Sequence, residues 1–421
     1  MASIADKDGG SPLSSPVRTF NRILPNITLE GSPGEIGLKH GSVLKHRIRE
    51  SWGWYNNLFR AAGAQSDDHV KLLSDKYAGI IKTFHEPYFV EIEAIAKGAG
   101  MDAWKIFALN SRTEIVLTLL RSKEGNKSAS DQPTECTSLF CKEFGILAQN
   151  WDWDEKLEKL VVLSHIKRGD GHEMISMHEP GVLAKTGLNN KGVGVCLNVL
   201  DCPVSYGDLD GVPIHVLLRA GLDASSFQDA VSVYKRAKCG TSSHIFLGSF
   251  DGENAMVEYA GSRMELVNRD EETQGWPLHT NHYLGCDLAD HPIHGYPSSS
   301  TAEKPVEVTS SRNRFTSGSK ILAGRSEKVF SRGGAMDTVK ALLRDDGEND
   351  NLQICRPFYK NESSTDGLSQ AMGRSGTVCT CIMDLQRLEL HITRGNPFEH
   401  PSFTVFDFGA NTKHFCNLLG R

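Results

Sequence analysis

The sequence predicts a layered α+β protein. Its first third places apolar residues at helical spacing, and the rest is dominated by short segments of strand character. Two helical stretches interrupt those strands. Several strands in succession, and several helices in succession, are typical of a fold in which helices pack on antiparallel sheets. Alternating βαβ units would instead give strands and helices in turn.

The helical part begins at a clear start signal. Ser32 is an N-cap residue, Pro33 suits the first helical position, and Glu35 completes a capping box. Apolar residues then recur at helical spacing as far as Phe59. Further helices are predicted over 70–99, 104–120, 213–238 and 335–343.

Strands are predicted from residue 136 onward. Leu388, Leu390 and Ile392 alternate with polar residues, the pattern of a sheet with one buried face. Residues 286–333 are long and polar, and we expect a surface excursion between elements there. The predicted strands cover 136–141, 144–153, 160–166, 194–200, 244–250, 255–260, 265–267, 378–385, 388–393 and 403–408.

Composition narrows the function classes. The 421 residues are 39% hydrophobic and 23% charged, as in an ordinary globular enzyme, and the net charge is −6. No long basic run indicates a nucleic-acid partner, and no apolar stretch approaches a membrane span. Residues 1–19 predict a disordered lead-in without a signal-peptide pattern, so we expect a cytoplasmic protein with free thiols.

Cys136 follows a segment suited to cleavage. Residues 122–135 contain no large apolar side chain and predict an exposed loop, where chains are readily cut. A cut before Cys136 gives one residue both a thiol and an α-amino group, whose pKa of roughly 7.7–8 suits a base. A positioned base activates a thiol nucleophile. Taken alone, however, a lone strand cysteine is more often a buried structural residue.

Other motifs strengthen the catalytic interpretation. The sequence carries CTS at 136–138, QNWD at 149–152, HTNH at 279–282 and ICR at 354–356. Together they resemble the acyl-coenzyme A:6-aminopenicillanic acid (isopenicillin N) acyltransferase family, whose relatives include β-alanyl-dopamine hydrolases. Five further segments fit the same family in the same order, namely GSPGEIGLKHG at 31–41, LNSRTE at 109–114, GLNNKGVGV at 187–195, SRNR at 311–314 and GNP at 395–397.

The resemblance implies a fold and a maturation route. The fold is the four-layer αββα sandwich of N-terminal-nucleophile hydrolases, formed jointly by a helical segment over 20–135 and a chain over 136–421. The precursor is expected to cut itself between Glu135 and Cys136. Cys136 then forms a thioester and passes the acyl group to water or an amine. The implied partners are a small-molecule acyl donor and an amine, with acyl-CoA as a possible substrate and no cofactor or metal.

The resemblance also assigns roles to particular residues. Asn281 matches the asparagine that donates to the oxyanion, and Asp152 matches an aspartate near the nucleophile that holds the α-amino group or supports cutting. Arg356 matches a pocket arginine able to pair with a substrate carboxylate. Thr137 is a hydrogen-bonding neighbour on the substrate side. Taken singly, each also fits an ordinary structural role, as a turn residue or in an ion pair.

Two features depart from the family pattern. Glu135 stands where the best-known acyltransferases of this kind have glycine, which tolerates backbone strain at a rearranging bond. The final residues, 419–421, are not a peroxisomal tripeptide, which argues against a peroxisomal place in this branch of secondary metabolism.

Several alternatives stay open at the level of sequence. The motifs do not choose between hydrolase and acyltransferase. An uncleaved chain that serves as a binding or regulatory protein is a second hypothesis, motivated by Glu135. A papain-like pairing of a cysteine with His282 lacks that family's signature. Cys379 and Cys381 share a strand face, but core packing is favoured over metal binding.

Overall fold

The computed structural model describes most of the chain. The expected lead-in over 1–19 and the central part of the expected loop lie outside the described residues. The described residues are 24–124, 135–200, 209–268, 273, 275–285, 306–325, 331–347, 353–360 and 371–408.

The first third is helical, as predicted, and its first helix starts where the sequence indicates. The Ser32 backbone N–H donates to Glu35 Oε2 at 2.8 Å, and the Ser32 hydroxyl accepts from the Glu35 N–H. The predicted 70–99 helix is two helices that meet at His85. The helices are α1 Pro33–Val43, α2 Lys45–Ala62, α3 Asp67–Phe84, α4 Glu86–Ala99, α5 Ala103–Asn110 and α6 Arg112–Glu124.

Glycines in the first motif allow close packing of α1 on α4. A Cβ at Gly37 would lie 2.3 Å from the Glu91 carbonyl oxygen, and one at Gly41 would lie 2.1 Å from the Ile95 carbonyl oxygen. Any larger residue would therefore push the two helices apart, which explains the glycine spacing in this segment.

The remainder alternates short strands with few helices. The strands are β1 Asn26–Gly31, β2 Glu135–Cys141, β3 Ile146–Asp154, β4 Val162–Arg168, β5 Glu173–His178, β6 Thr186–Asn189, β7 Val193–Val199, β8 Ser242–Ser249, β9 Asn254–Ala260, β10 Arg263–Val267, β11 Leu278–His279, β12 Tyr359–Lys360, β13 Arg374–Asp384, β14 Glu389–Arg394 and β15 Thr404–Asp407. The helices are α7 Glu155–Glu158, α8 Ile214–Leu222, α9 Phe227–Arg236, α10 Val306–Ala323 and α11 Arg332–Leu343.

The described strands form two sheets. The first has the order β1-β4-β5-β6-β7-β8-β9-β10, and only its β1–β4 pair is parallel. The second has the order β11-β2-β3-β13-β14-β15, with β12 paired to β13, and is antiparallel throughout. Strand β1 comes from the helical first third, so both parts of the chain build the first sheet.

Three hydrophobic clusters separate four layers. One lies between α1–α6, α8 and α9 and the outer face of the first sheet, with Tyr55 and Leu217 among its members. A second fills the space between the two sheets, around Phe140 and Phe246. A third lies between the second sheet and α10 and α11, around Leu139 and Leu342. The described elements form a four-layer αββα sandwich, so the predicted α+β layering is confirmed.

Some elements differ from the sequence-based expectations. The expected surface excursion over 286–333 is wrong in part, because helix α10 occupies residues 306–323 and packs on β2 and β11. Strands β1, β5, β6, β11 and β12 were not predicted from local pattern. Helix α6 continues to Glu124, into the start of the expected loop. Within the described part of the chain, no helix is long and apolar enough to cross a membrane.

Candidate active site

Strand β2 places Cys136 at the interface between the two sheets. Side chains along the strand alternate, so Cys136 and Phe140 pack between the sheets while Leu139 and Cys141 pack towards the outer helices. Cys136 is opposite Trp151 of β3 in the antiparallel pair, and its side chain is 6% exposed. The strand register therefore directs the thiol into the interior of the sandwich.

The Cys136 thiol faces a small cavity. Its volume is about 40 Å³, room for a few water molecules but far below the few hundred Å³ usual for a substrate pocket. Helices α2, α6 and α8 close one side of it, and strands β2, β3 and β7 close the other. It is lined by Tyr55, Arg112, Thr113, Cys136, Trp151, Asp152, Trp153, Lys185, Leu197, Val199 and His215.

Asn281 holds the backbone of Cys136. It follows β11, the edge strand beside β2, and is 2% exposed. Its Oδ1 accepts a hydrogen bond from the Cys136 backbone N–H at 2.7 Å, and its Nδ2 donates to the Val199 carbonyl at 2.7 Å. The Asn281 side chain therefore links the Cys136 nitrogen in one sheet to the end of β7 in the other.

Arg314 of α10, in the outer helical layer, binds the backbone of Cys136 and the Asn281 side chain from the other side of the second sheet. Its Nη1 donates to the Cys136 carbonyl at 2.7 Å and to Thr137 Oγ1 at 3.0 Å, and its Nη2 donates to Asn281 Oδ1 at 2.8 Å. Arg314 is fully buried. From sequence alone it was only one letter of the SRNR match, inside a segment expected to lie on the surface. A cationic side chain at a fixed offset in that motif was the available signal.

The surroundings of the Cys136 thiol favour its protonated form. Burial, followed by the nearby Asp152 carboxylate, raises the pKa of the thiol to about 12. A backbone hydrogen bond from Asp152 and the positive charges of Lys185 and Arg314 oppose that rise. Asp152 is 2% exposed and lines the same cavity. The structure thus places Cys136 and Asp152 on one cavity and Asn281 against the backbone of Cys136, and the catalytic roles of the three residues stay a prediction.

The two predicted substrate-binding residues lie elsewhere. The Thr137 hydroxyl points to Arg314, on the opposite face of β2 from the cavity, where it acts as a structural acceptor. Arg356 is buried, its guanidinium carbon is 4.4 Å from the Tyr359 ring centroid, and its side chain does not line the cavity. Burial lowers the pKa of Arg356 to about 9. Contact of Thr137 or Arg356 with substrate stays a prediction.

Glu135 lies within the sheet. Its backbone pairs with Asp152 at the start of the β2–β3 ladder, so the bond before Cys136 belongs to a strand and not to a free loop. The expected cleavage site therefore lies one residue inside regular structure.

A buried charged cluster borders the cavity and was absent from the sequence-based predictions. Glu179 forms ion pairs with Arg112 and with Lys185, and it accepts a hydrogen bond from the Tyr55 hydroxyl. Arg112 belongs to the LNSRTE match, but nothing in the local sequence indicates that Glu179 is its partner. The contact joins residues 67 positions apart, so it becomes visible only in the fold.

Comparison with known proteins identifies the family. The sequence profile of acyl-coenzyme A:6-aminopenicillanic acid acyl-transferases matches residues 141–397, more than half of the chain. This chain belongs to that family. The 40 kDa form of acyl-coenzyme A:6-aminopenicillanic-acid-acyltransferase from Emericella nidulans is 28% identical over 363 residues, which cover 84% of this chain and 91% of that protein.

Two solved structures of related type also match. A variant of conjugated bile acid hydrolase from Clostridium perfringens has 13% sequence identity and a TM-score of 0.42, with 67% of this chain and 94% of that chain covered. Penicillin V acylase from Agrobacterium tumefaciens has 15% identity and a TM-score of 0.37, with 68% and 89% covered.

The structure also locates the groups that the sequence set aside. His282 Nδ1 lies 2.8 Å from Ser311 Oγ, and its side chain does not line the cavity of Cys136, so no papain-like pair forms. Cys379 and Cys381 lie in the core between the sheets, with their sulfur atoms 3.9 Å apart, which agrees with core packing.

Proposed function

We propose that this member of the family is a self-cleaving amidohydrolase or acyltransferase with Cys136 as its nucleophile. The observation that carries the proposal is the hydrogen bond from the Cys136 N–H to Asn281 Oδ1. That nitrogen becomes the α-amino group after a cut before Cys136. Its future base is therefore already held beside the thiol in the uncut chain.

The first reaction is the cut itself. The Cys136 sulfur attacks the Glu135 carbonyl carbon, the S–C bond forms, and the C–N bond to Cys136 breaks. The thiol proton ends on the departing nitrogen, and Asp152 in the same cavity is suited to carry it. Water then hydrolyses the thioester, which releases the Glu135 carboxylate and the free Cys136 thiol.

The second reaction uses the same thiol on a substrate. The α-amino group takes the thiol proton, and the thiolate attacks the substrate carbonyl. Asn281 Nδ2 has two N–H groups, of which one bonds Val199, and we assign the other to the developing oxyanion. The carbonyl re-forms as the leaving group departs with the proton, and water or an amine then releases the acyl group.

The size of the cavity supports this order of events. About 40 Å³ admits the water needed for hydrolysis of the thioester and is far smaller than the pocket that an acyl chain requires. We therefore propose that substrate access follows the cut and that the uncut chain is an inactive precursor.

The substrates are proposed from the chemistry of the site and from the relative. The Emericella nidulans protein is named for acyl-coenzyme A and 6-aminopenicillanic acid. We propose an acyl thioester or amide as donor and a small amine or water as acceptor. Cys136, its α-amino group and Asn281 supply nucleophile, base and oxyanion donor from the chain alone, so the proposed reaction needs no cofactor.

An assay of products tests this function. The cut protein is incubated with an acyl-CoA alone and with an acyl-CoA plus 6-aminopenicillanic acid, and products are measured by mass spectrometry. New amide indicates a transferase, and free acid alone indicates a hydrolase. Cys136→Ala should abolish both products, whereas Cys141→Ala, a thiol that packs against the outer helices on the other face of the second sheet, should retain activity. An inactive, uncut wild-type chain would favour the binding-protein hypothesis.

A further inference from the structure

Lys185 is a buried lysine on the wall of the nucleophile cavity. Its side chain is 6% exposed, and it directly precedes β6 in the first sheet. The Lys185 backbone N–H donates to Ser176 Oγ at 3.0 Å, which fixes the start of the side chain. A lysine so deeply buried carries a large desolvation cost for its charge unless partners offset it.

Two residues hold the Lys185 ammonium group in place. Its Nζ lies 3.3 Å from Glu179 Oε2 and 3.2 Å from the centroid of the Trp151 ring. Trp151 is the direct cross-strand partner of Cys136. An ion pair and a cation–π contact thus fix the ammonium group next to the nucleophile's own strand pair.

The local charges leave a positive excess on this wall. Arg112 and Lys185 share the single carboxylate of Glu179, so that cluster carries one net positive charge. Asp152 on β3 contributes the opposing negative charge of the cavity. The titratable and charged groups that face this region include Tyr55 of α2, Arg112 of α6, Cys136 of β2, Asp152 of β3, Glu179 after β5, Cys196 of β7, His215 of α8, Arg314 of α10 and Cys379 of β13.

We propose that Lys185 is the cation that stabilises the Cys136 thiolate during catalysis, with Glu179 and Trp151 as the residues that position its ammonium group. The proposal rests on the proposed role of Cys136 as nucleophile. An anionic sulfur in a buried site is costly without a nearby positive charge, and a lysine is a common source of one.

Electrostatic coupling between the two groups agrees with this assignment. Burial lowers the pKa of Lys185 to about 8, and the Glu179 carboxylate and the Cys136 thiolate oppose that change. The ammonium form therefore predominates at pH 7. The positive charge of Lys185 acts in turn to lower the pKa of the Cys136 thiol against the effects of burial and Asp152.

The pH dependence of Cys136 alkylation tests the proposal. Cut protein is treated with iodoacetamide across a pH series, and the modification of each cysteine is followed by peptide mass spectrometry. Lys185→Met should slow alkylation of Cys136 at pH 7 about tenfold and raise its pH midpoint by about one unit. Lys185→Arg should restore most of the rate, and the exposed Lys191→Met should match the wild type.

A second variant should shift the pH midpoint of Cys136 alkylation in the opposite direction. Glu179→Gln removes the negative partner of Lys185, so it should lower the pH midpoint of Cys136, whereas general damage to the site would slow alkylation without lowering it. The Glu179→Gln variant still tests the role of Lys185 if Lys185→Met fails to fold. Unchanged midpoints in Lys185→Met, or in Glu179→Gln when the first variant does not fold, would overturn the role of Lys185.

The outcomes separate this inference from the proposed function. If Cys136 of the cut wild-type protein is no more reactive than the other thiols, the nucleophile assignment itself fails. If Cys136 is the fast thiol and its midpoint does not depend on Lys185, only the present inference fails.

Discussion

The Cys136 backbone N–H and the Asn281 side chain form a 2.7 Å hydrogen bond across the β2–β11 edge of the second sheet. Arg314 donates to the same Asn281 oxygen, so the orientation of the amide is fixed with Oδ1 towards the Cys136 nitrogen. The remaining group, Nδ2, faces the first sheet. Asn281 therefore offers two functions, an anchor through oxygen and a donor through nitrogen.

Two substitutions at Asn281 separate those functions. Asn281→Ala removes anchor and donor, and turnover should fall by roughly 10²–10³-fold if the donor serves the oxyanion. Asn281→Asp keeps an oxygen for the α-amino group but loses the donor, so it should lose turnover by a similar factor while retaining the cut. Single-turnover kinetics and fragment analysis measure the two effects. Unchanged turnover in both variants would remove Asn281 from the site.

We expect the hydrogen bonds of Arg314 to be the main stabilising contacts around Cys136 and Asn281. Arg314→Gln leaves the Cys136 carbonyl and Thr137 Oγ1 without their donor, so we expect a loss of about 2–5 kcal/mol in the free energy of unfolding. Arg312 lies on the same helix and is exposed, so Arg312→Gln should change the free energy of unfolding by less than about 0.5 kcal/mol. Urea unfolding of both proteins provides the measurement, and equal midpoints would refute the assigned role.

Glu135 should limit the rate of self-cleavage. Its backbone is held in the β2–β3 ladder opposite Asp152, and a glycine there would lower the cost of distorting the bond that breaks. Glu135→Gly should therefore cut faster than the wild type when freshly translated protein is sampled over time. Slower cutting would show that the ladder geometry favours the reaction.

Glu114 predicts a pH-dependent contribution to stability. Burial raises the pKa of its carboxyl to about 7 from an unfolded value near 4.5, although its Oε1 accepts a hydrogen bond from the Ile214 N–H. Because the folded pKa is the higher one, this stability is fully present below pH 4.5 and is lost as pH rises through 7. As pH rises from 4.5 to 8, the free energy of unfolding of Glu114→Gln should increase relative to that of the wild type by on the order of 2–3 kcal/mol.

The control for that experiment is Glu93→Gln, which alters an exposed carboxylate on helix α4. The pH-dependent gain of Glu114→Gln should exceed that of this exposed-site variant. Comparison with the wild type at each pH cancels the opposite effects of buried histidines such as His178, whose pKa burial lowers to about 4. A flat difference for Glu114→Gln would contradict the assigned titration.

Local patterns predicted those parts of the fold that depend on neighbours in sequence. The capping box at Ser32, the helical first third and the β2–β3 strand pair follow from spacing and side-chain type. Strand β1 has no such signal, because its pairing with β4 joins residues more than 130 positions apart. Helix α10 was not predicted because its composition is polar and gives no clear apolar periodicity. Its buried Arg314 contacts a distant strand, and sequence spacing does not show such a contact.

The candidate site divides in the same way. Cys136, Asp152 and Asn281 were found through motifs, and the fold brings them together. Lys185, Glu179 and Arg314 act through long-range contacts, which no local pattern encodes. Arg356 shows the reverse case, since a motif match placed it in the pocket whereas its side chain lies against Tyr359.

The central claim is that the chain activates itself by a cut before Cys136. The most direct test is the intact mass of the purified protein, with N-terminal sequencing of each fragment and a Cys136→Ala control. The account predicts two wild-type fragments, one of which begins Cys136-Thr137-Ser138, and a single uncut chain for the control. A wild-type chain that stays whole, or a control that is cut at the same bond, would contradict it.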